Sequence, residues 1–338
     1  LGELPNSDAL IPISEVSIAN TTMRWDMGFA GGYWSQYMAH SYTASQFKFL
    51  EEYNETEFSN AYVELTAGAL NDLKEIKRIA SEGDDKGSYL LAEALSVYAW
   101  QLVTDTWGDV PYFEALRGDE QILSPAFDAG EDIYADLLQR IDSVLDIDYS
   151  GALINEEKDF LLGGNVDDWI RFANSLKLKL MIRLSETPSY NNENVLAFVE
   201  SAGFLTKSAQ IDGSVFEDKD GKRHPMAEFD LGAANYLSTN VIASKTLLDY
   251  LRVNNDPRLS SIYTEGGSGF EGAFQGDFDS KDDSDGDGID DEAEDYSKMT
   301  FSVNMDLPLM SLWEVEFYLA EVYARAGQHD NARMHYEN

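Results

Sequence analysis

Asp283, Asp285, Asp287, Asp291 and Glu294 occupy positions one, three, five, nine and twelve of a twelve-residue run, and that spacing of carboxylates is the chemistry of a calcium loop. Calcium takes about six to eight oxygens at about 2.3 to 2.6 Å. Alternate side chains can wrap it if Gly288 makes the sharp turn and the Ile289 carbonyl points inward. Glu294 would close the site with both oxygens, Asp291 would act directly or through a water, and Asp290 would be a neighbouring charge outside the shell. A merely solvated acidic run supplies carboxylates but no reason for a glycine at the turn and an aliphatic residue just after it. Recognisable EF-hand helices are missing from the flanks. The expectation is a structural Ca2+ site that stiffens an acidic insertion, residues 277–295, and not a calcium sensor, which would need a helix pair to move.

A second group of residues suggests surface recognition. Trp25, Phe29, Tyr33, Trp34, Tyr37 and Tyr42 crowd one segment together with Arg24, Asp26, Gln36 and His40, and Tyr33, Tyr37 and His40 would share one face of a helix. Sugars present flat C–H faces ringed by hydroxyls, so a protein that binds them offers aromatic plates beside polar partners. The competing role for such rings is core packing, which suits Phe29 best. Phe270 and Phe274 stand in a Gly-rich stretch just before the acidic run. Trp25, Tyr33, Trp34, Tyr37, Phe270 and Phe274 are therefore the candidate carbohydrate-binding residues.

Reactive constellations have no positive support. The four histidines, His40, His224, His329 and His335, are dispersed and show no triad spacing, no HExxH pair and no phosphate loop accompanies them. Carboxylate pairs are too common among 62 acidic residues for any one to mark a hydrolase. Against 24 basic residues those acids leave a net charge of -38, which repels phosphate backbones and so excludes nucleic acid as a partner. There are no cysteines, hence no disulfide frame and no thiolate metal site. Apolar runs are too short to span a bilayer, so any membrane attachment must come from outside these residues. Both ends, Leu1 and Asn338, read as those of a truncated form.

The elements that must position these groups are mainly helical. Apolar residues step by three and four at Tyr62–Ala80, Leu91–Leu102, Ile133–Val144 and Trp169–Leu180, then at Val241, Leu248 and Leu251. The stretch around Leu91 is apolar on nearly every face, which marks a central helix. Leu312, Val315, Leu319, Val322 and Ala326 form another stripe that stops at Gly327, and Ala332 and Tyr336 follow with the small-then-aromatic spacing of a tetratricopeptide hairpin. Stacked helical hairpins, roughly ten helices in all, are the economical reading. Trp100, Trp107, Trp169 and Trp313 read as core, and the cations Arg171, Lys177, Lys179 and Arg183 as an ion-paired helix face. Two long irregular regions, 203–239 and 254–310, separate the helices; 210–216 and 299–303 could pair there as minor strands.

Several segments then resemble one known family in collinear order. Trp107-Gly108-Asp109-Val110-Pro111-Tyr112 is similar to the WGDVPY turn of SusD/RagB proteins, and Tyr134 to Asp142 resembles the helix that follows it. Trp169 to Lys177 looks like the family's "W..fANsLk" helix, Asn255-Asp256-Pro257-Arg258 like its NDPR turn, and Trp313 to Glu321 like its late tetratricopeptide helix. The resemblance implies a single SusD-like domain over residues 1–338, mainly α, with tetratricopeptide-like hairpins, long loops and a few minor strands. It also implies a non-catalytic glycan-binding lipoprotein at the cell surface. Such a protein captures oligosaccharide for a SusC-like TonB-dependent transporter and is held to the outer membrane by a lipidated cysteine upstream of Leu1. The matched motifs are structural in that family, so its binding residues do not transfer.

The strong negative charge favours a neutral glycan such as a glucan over a sulfated or uronic one. A helical scaffold for a protein partner is the alternative from another class, and a glycoside hydrolase the weaker third. For the acidic insertion the expected outcome is a lower melting temperature, or faster proteolysis within 277–295, on adding excess chelator. Unchanged melting and cleavage would leave only a solvated acidic loop.

Overall fold

A computed structural model describes residues 7–41, 44, 48–52, 54, 57–231, 240–267, 269–276 and 295–338. The chain is 58% helix with a few short strands, as its periodicities require. It divides into two compact units within the span read from sequence as one domain. The first comprises Leu1–Ala19, Tyr62–Ile211 and Pro308–Asn338, the second Asn20–Ala61 and Asp212–Leu307.

In the first unit the Lys86–Trp107 helix is the axis. Its residues are apolar or small all round, and Leu90 through Gln101 are buried. It packs against the Asn71–Gly83, Gly130–Leu145 and Val166–Arg183 helices. Side-chain caps start these elements cleanly: Asp85 accepts from the Ser88 amide, Asn165 from that of Asp168, and Ser311 from that of Glu314. The WGDVPY turn ends the axial helix at Gly108, whose φ of +76° suits glycine. Beyond it Asp109 accepts from the Gly130 amide and Asp128 from the amides of Tyr112 and Phe113, each at 2.9 Å, so the turn is tied to the start of the next helix. Leu312–Arg325 and His329–Glu337 form the closing hairpin around Gly327.

Charge is buried here with compensation. Glu93 receives Lys77 and Arg140, each at 2.6 Å; burial alone would raise its carboxyl, but the Arg140 hydrogen bonds and the two cations hold it down at about 2. The expected ion-paired face is present, with Arg171 on Asp168, Lys177 on Asp142, Lys179 on Glu314 and Arg183 on Asp105.

Strands are short. β1 (Met38–His40) pairs antiparallel with β3 (Val241–Ala243), β4 (Tyr263–Thr264) pairs antiparallel with β5 (Lys298–Met299), and β2 (Ala209–Ile211) pairs with β6 (Leu307–Met310). Three expectations change accordingly. The 210–216 and 299–303 pieces supply strands that pair with other partners and not with each other. Val241 belongs to β3, and its helix begins only at Lys245, capped by Ser244. Trp313, expected in the core, is 63% exposed because the buried stripe of its helix runs through Val315, Leu319 and Val322, and Trp313 lies off it. The Ser7–Met23 helix carries no clear amphipathic signal, since Leu10, Ile11, Ile13 and Val16 surround it and Pro12 sits inside its first turns.

That helix brings in Glu15, a buried acid with no counter-cation among the described residues. Glu15 faces Asp159, whose oxygens already accept from the amides of Leu161, Leu162 and Gly164 and from the Trp169 indole. Glu15 Oε2 accepts from the Phe160 amide, while Oε1 meets no donor among the described residues. A proton on Glu15 resolves the clash of two carboxylates, and burial together with the Asp159 charge pushes its pKa well above the ordinary 4.5. A raised folded-state pKa makes the contribution to stability full below 4.5 and lost as pH climbs through the folded value. Thermal melting against pH should therefore decline over that window in the parent and much less in Glu15→Gln. Parallel profiles would show that Glu15 is ionised in the fold.

Candidate functional site

The aromatic segment enters the second unit as a π-helical turn, Trp25–Phe29, followed by a short α-helix, Ala30–Trp34. Gly31 and Gly32 weaken helix continuation, and Gln36 at φ +62° turns the chain into β1. Tyr33, Tyr37 and His40 therefore do not form one helical face, which corrects the reading from spacing.

The candidates separate by exposure. Trp34, Tyr37 and Phe274 are 52%, 44% and 60% exposed. Trp25 and Phe270 are half-buried, Trp25 edge-on to Phe49 and Phe270 packed against the cluster of Ala243, Leu248, Leu251 and Tyr263. Tyr33 is fully buried and must be struck from the sugar-facing set. Its ring stacks on His40 with centroids 4.2 Å apart, and burial with the nearby Glu51 charge pushes its phenol pKa up. Gly32 contributes to this, since with its backbone against Met38 the helix lies close on β1 and Tyr33 packs in the core with Met38 and Leu50.

The exposed rings sit on backbone whose own groups are already engaged. The Tyr37 amide donates to Gly32 at 2.8 Å, and its carbonyl accepts from the Tyr263 hydroxyl at 2.7 Å and from the Ser244 amide at 3.2 Å. Ser244 bridges to Ala273, and the Lys245 amide donates to the Ala273 carbonyl at 2.8 Å. Tyr37 and Phe274 are thus brought to neighbouring backbone positions about Ser244. The Trp34 indole donates to the Leu50 carbonyl at 3.0 Å and meets Phe58 edge-on. Lys245 lies 5.5 Å from the centre of the Phe274 ring. Tyr263 is itself buried, which pushes its phenol pKa up and keeps its hydroxyl a donor.

Glu51 supports the same region from beneath. It accepts from the His40 amide at 2.8 Å, lies 3.1 Å from His40 Nδ1, and holds the Gln275 side chain and the Gly276 amide at 3.1 and 2.8 Å. Gln275 also donates to the Tyr33 carbonyl at 2.9 Å. The stem of the acidic insertion is therefore fixed, because the Ser297 amide donates to Glu271 and Tyr296 packs with Ala39 and Ile242. Asp283, Asp285, Asp287, Ile289, Asp291 and Glu294 lie outside the described residues. Among the described residues no three His, Asp or Glu side chains converge to hold a metal ion.

Acids near the rings are engaged in ion pairs. Asp249 and Glu271 each meet Lys245 and Arg252. Asp256 is clamped by Arg258, whose hydrogen bonds pull its carboxyl down to about 2. A general acid needs the opposite shift. Tyr250 and Arg258, which spacing passed over, are also exposed. Tyr250 could have been flagged, because it lies off the Leu248 and Leu251 stripe.

Over residues 6–338 the sequence matches the family model SusD-like_2, described as starch-binding and associating with the outer membrane. The chain belongs to the SusD-like family. Members of this family are non-catalytic carbohydrate-binding proteins of the outer membrane. No helix among the described residues is long and apolar enough to cross a membrane. No match was found among curated protein sequences. Solved structures share the SusD-like fold at low identity. A SusD/RagB family protein from Bacteroides thetaiotaomicron superposes with a TM-score of 0.79 at 20% identity, covering 98% of this chain and 71% of that one. A SusD homologue from Bacteroides uniformis gives 0.76 at 21%, covering 97% and 69%. A chitin-binding protein gives 0.76 at 20%, covering 98% and 73%.

The Tyr263 hydroxyl is the bond that holds the Tyr37 carbonyl, so Tyr263→Phe should destabilise the fold by about 1 kcal/mol, read by chemical denaturation. No change in the denaturation midpoint would mean that Tyr37 is fixed by the Ser244 amide alone.

Proposed function

We propose that this SusD-like protein captures neutral oligosaccharide at the cell surface by stacking, with no bond made or broken, and passes it to a SusC-like TonB-dependent transporter. The observation that carries the reading is the set of exposed rings, Trp34, Tyr37 and Phe274, on backbone already fixed by internal hydrogen bonds. Rigid plates lose little entropy on binding, and a flat apolar ring with polar neighbours is what a pyranose face needs. Trp25 and Phe270 are half-buried, each packed on a core cluster of the same unit. Attachment by a lipid anchor outside residues 1–338 would keep the protein at the outer membrane.

The neutral class, a glucan in the first instance, follows from the net charge of -38, which disfavours uronic and sulfated chains. The neighbour named as a chitin-binding protein supports carbohydrate capture in this fold without fixing the sugar. Calcium at Asp283, Asp285, Asp287, Ile289, Asp291 and Glu294 would serve structure and not chemistry, closing an insertion whose stem is held by Glu51 and Glu271.

Isothermal titration with neutral and acidic oligosaccharides checks this directly. Trp34→Ala or Phe274→Ala should weaken a neutral ligand by roughly tenfold to a hundredfold, since a stacked ring contributes about 1 to 3 kcal/mol by truncation. Silence across the whole panel would remove the proposal.

A further inference from the structure

The NDPR turn builds a polar group beside the rings. Asn255 at φ +50° reverses the chain after the Lys245–Val253 helix, and the Asp256 amide closes back on the Leu251 carbonyl at 2.9 Å. Asp256 then accepts the Arg258 amide at 2.9 Å and grips its guanidinium through Nε at 2.9 Å and Nη2 at 2.6 Å. Such a fork–fork pair fixes the plane of the guanidinium in advance. Asp256 is nearly covered while Arg258 is 70% exposed, so the pair turns its donor side to water. Nη1 has no protein acceptor among the described residues.

Two exposed phenols stand near this fork along the backbone. Tyr250 immediately precedes Leu251, whose carbonyl takes the Asp256 amide, and the Tyr37 carbonyl accepts from the hydroxyl of Tyr263, which follows the short helix after Arg258; they are 63% and 44% exposed. Neither hydroxyl has a hydrogen-bond partner among the described residues, although the backbone of each is held: Tyr37 through Tyr263, and Tyr250 through Asn254, which donates to its carbonyl at 2.8 Å. Two aromatic faces, two hydroxyls that both donate and accept, and a preset pair of N–H groups therefore share one exposed surface.

We infer that Tyr37, Tyr250 and Arg258 form a specificity subsite that reads adjacent hydroxyls of one neutral pyranose within the bound glycan. The inference rests on the glycan reading above and names the part of that surface that orients the sugar. Rings alone hold any sugar face, whereas donors in a fixed plane discriminate among hydroxyl arrangements. A neutral residue fits better than an anionic one because Asp256 already balances the Arg258 charge and the protein's overall charge repels anions.

The test is isothermal titration with malto-, cello-, laminari- and chito-hexaose and an oligogalacturonate. It compares the parent with Tyr37→Phe, Tyr250→Phe and Arg258→Gln. The two Phe changes remove only a hydroxyl and should weaken the neutral ligand severalfold each, and Arg258→Gln roughly tenfold. All three melt as the parent does. Arg258→Lys restores little, because a point charge lacks the planar fork. Parent-like affinity in all three variants, with binding still lost in Trp34→Ala, would overturn the subsite while leaving glycan capture standing. Preference for oligogalacturonate that vanishes in Arg258→Gln would overturn the neutral assignment. No binding by the parent to any probe would remove both.

Discussion

A hydrogen bond from the buried Tyr263 hydroxyl to the Tyr37 carbonyl holds the candidate surface in shape. An exposed ring is useful for recognition only if its backbone cannot drift, and here Tyr37 is held from both sides by Tyr263 and Ser244. Because Tyr263 sits in the core, burial keeps its phenol neutral and able to donate. From that point the constraint spreads outward. Ser244 meets Ala273, Phe274 follows, and Gln275 and Gly276 run down onto Glu51. Tyr37 and Phe274 are thus presented by one connected set of hydrogen bonds, and the Trp34 indole is tied separately to the Leu50 carbonyl.

The first unit solves a different problem, that of an acidic chain which must bury some of its acids. Glu93 is neutralised by Lys77 and Arg140, and this joins three helices through charge that would be costly if any member were removed. Asp159 has no cation and instead collects three amides and an indole. Glu15 is left beside it, where burial and the Asp159 charge push its carboxyl pKa up. Among the described residues most of the other carboxylates face water, where their repulsion shapes which ligands approach more than it shapes the fold.

Much of the architecture was legible because it is periodic. The axial helix, its neighbours and the closing hairpin all announce themselves by apolar residues at three- and four-residue steps, and the WGDVPY and NDPR turns by residues that serve local geometry. The site was legible only as a region. Trp34, Tyr37 and Phe274 lie where aromatic content pointed, but Tyr33 differs from its neighbour Trp34 by which side of a five-residue helix it occupies. No periodicity can be read over so short an element. Two glycines and a left-handed Gln36 also break the segment where a continuous helix would have put Tyr37 and His40 beside Tyr33. Tyr250 and Arg258 escaped because their part of the chain meets Tyr37 only in the fold, where the Tyr263 hydroxyl and the Ser244 amide reach the Tyr37 carbonyl across more than two hundred residues.

The most direct measurement is a diffraction structure of the protein soaked with the neutral oligosaccharide it binds best. The account requires density for a pyranose ring lying against Tyr37 or Phe274, with its hydroxyls toward Arg258. Sugar density confined to the first unit, with those rings bare, would contradict it.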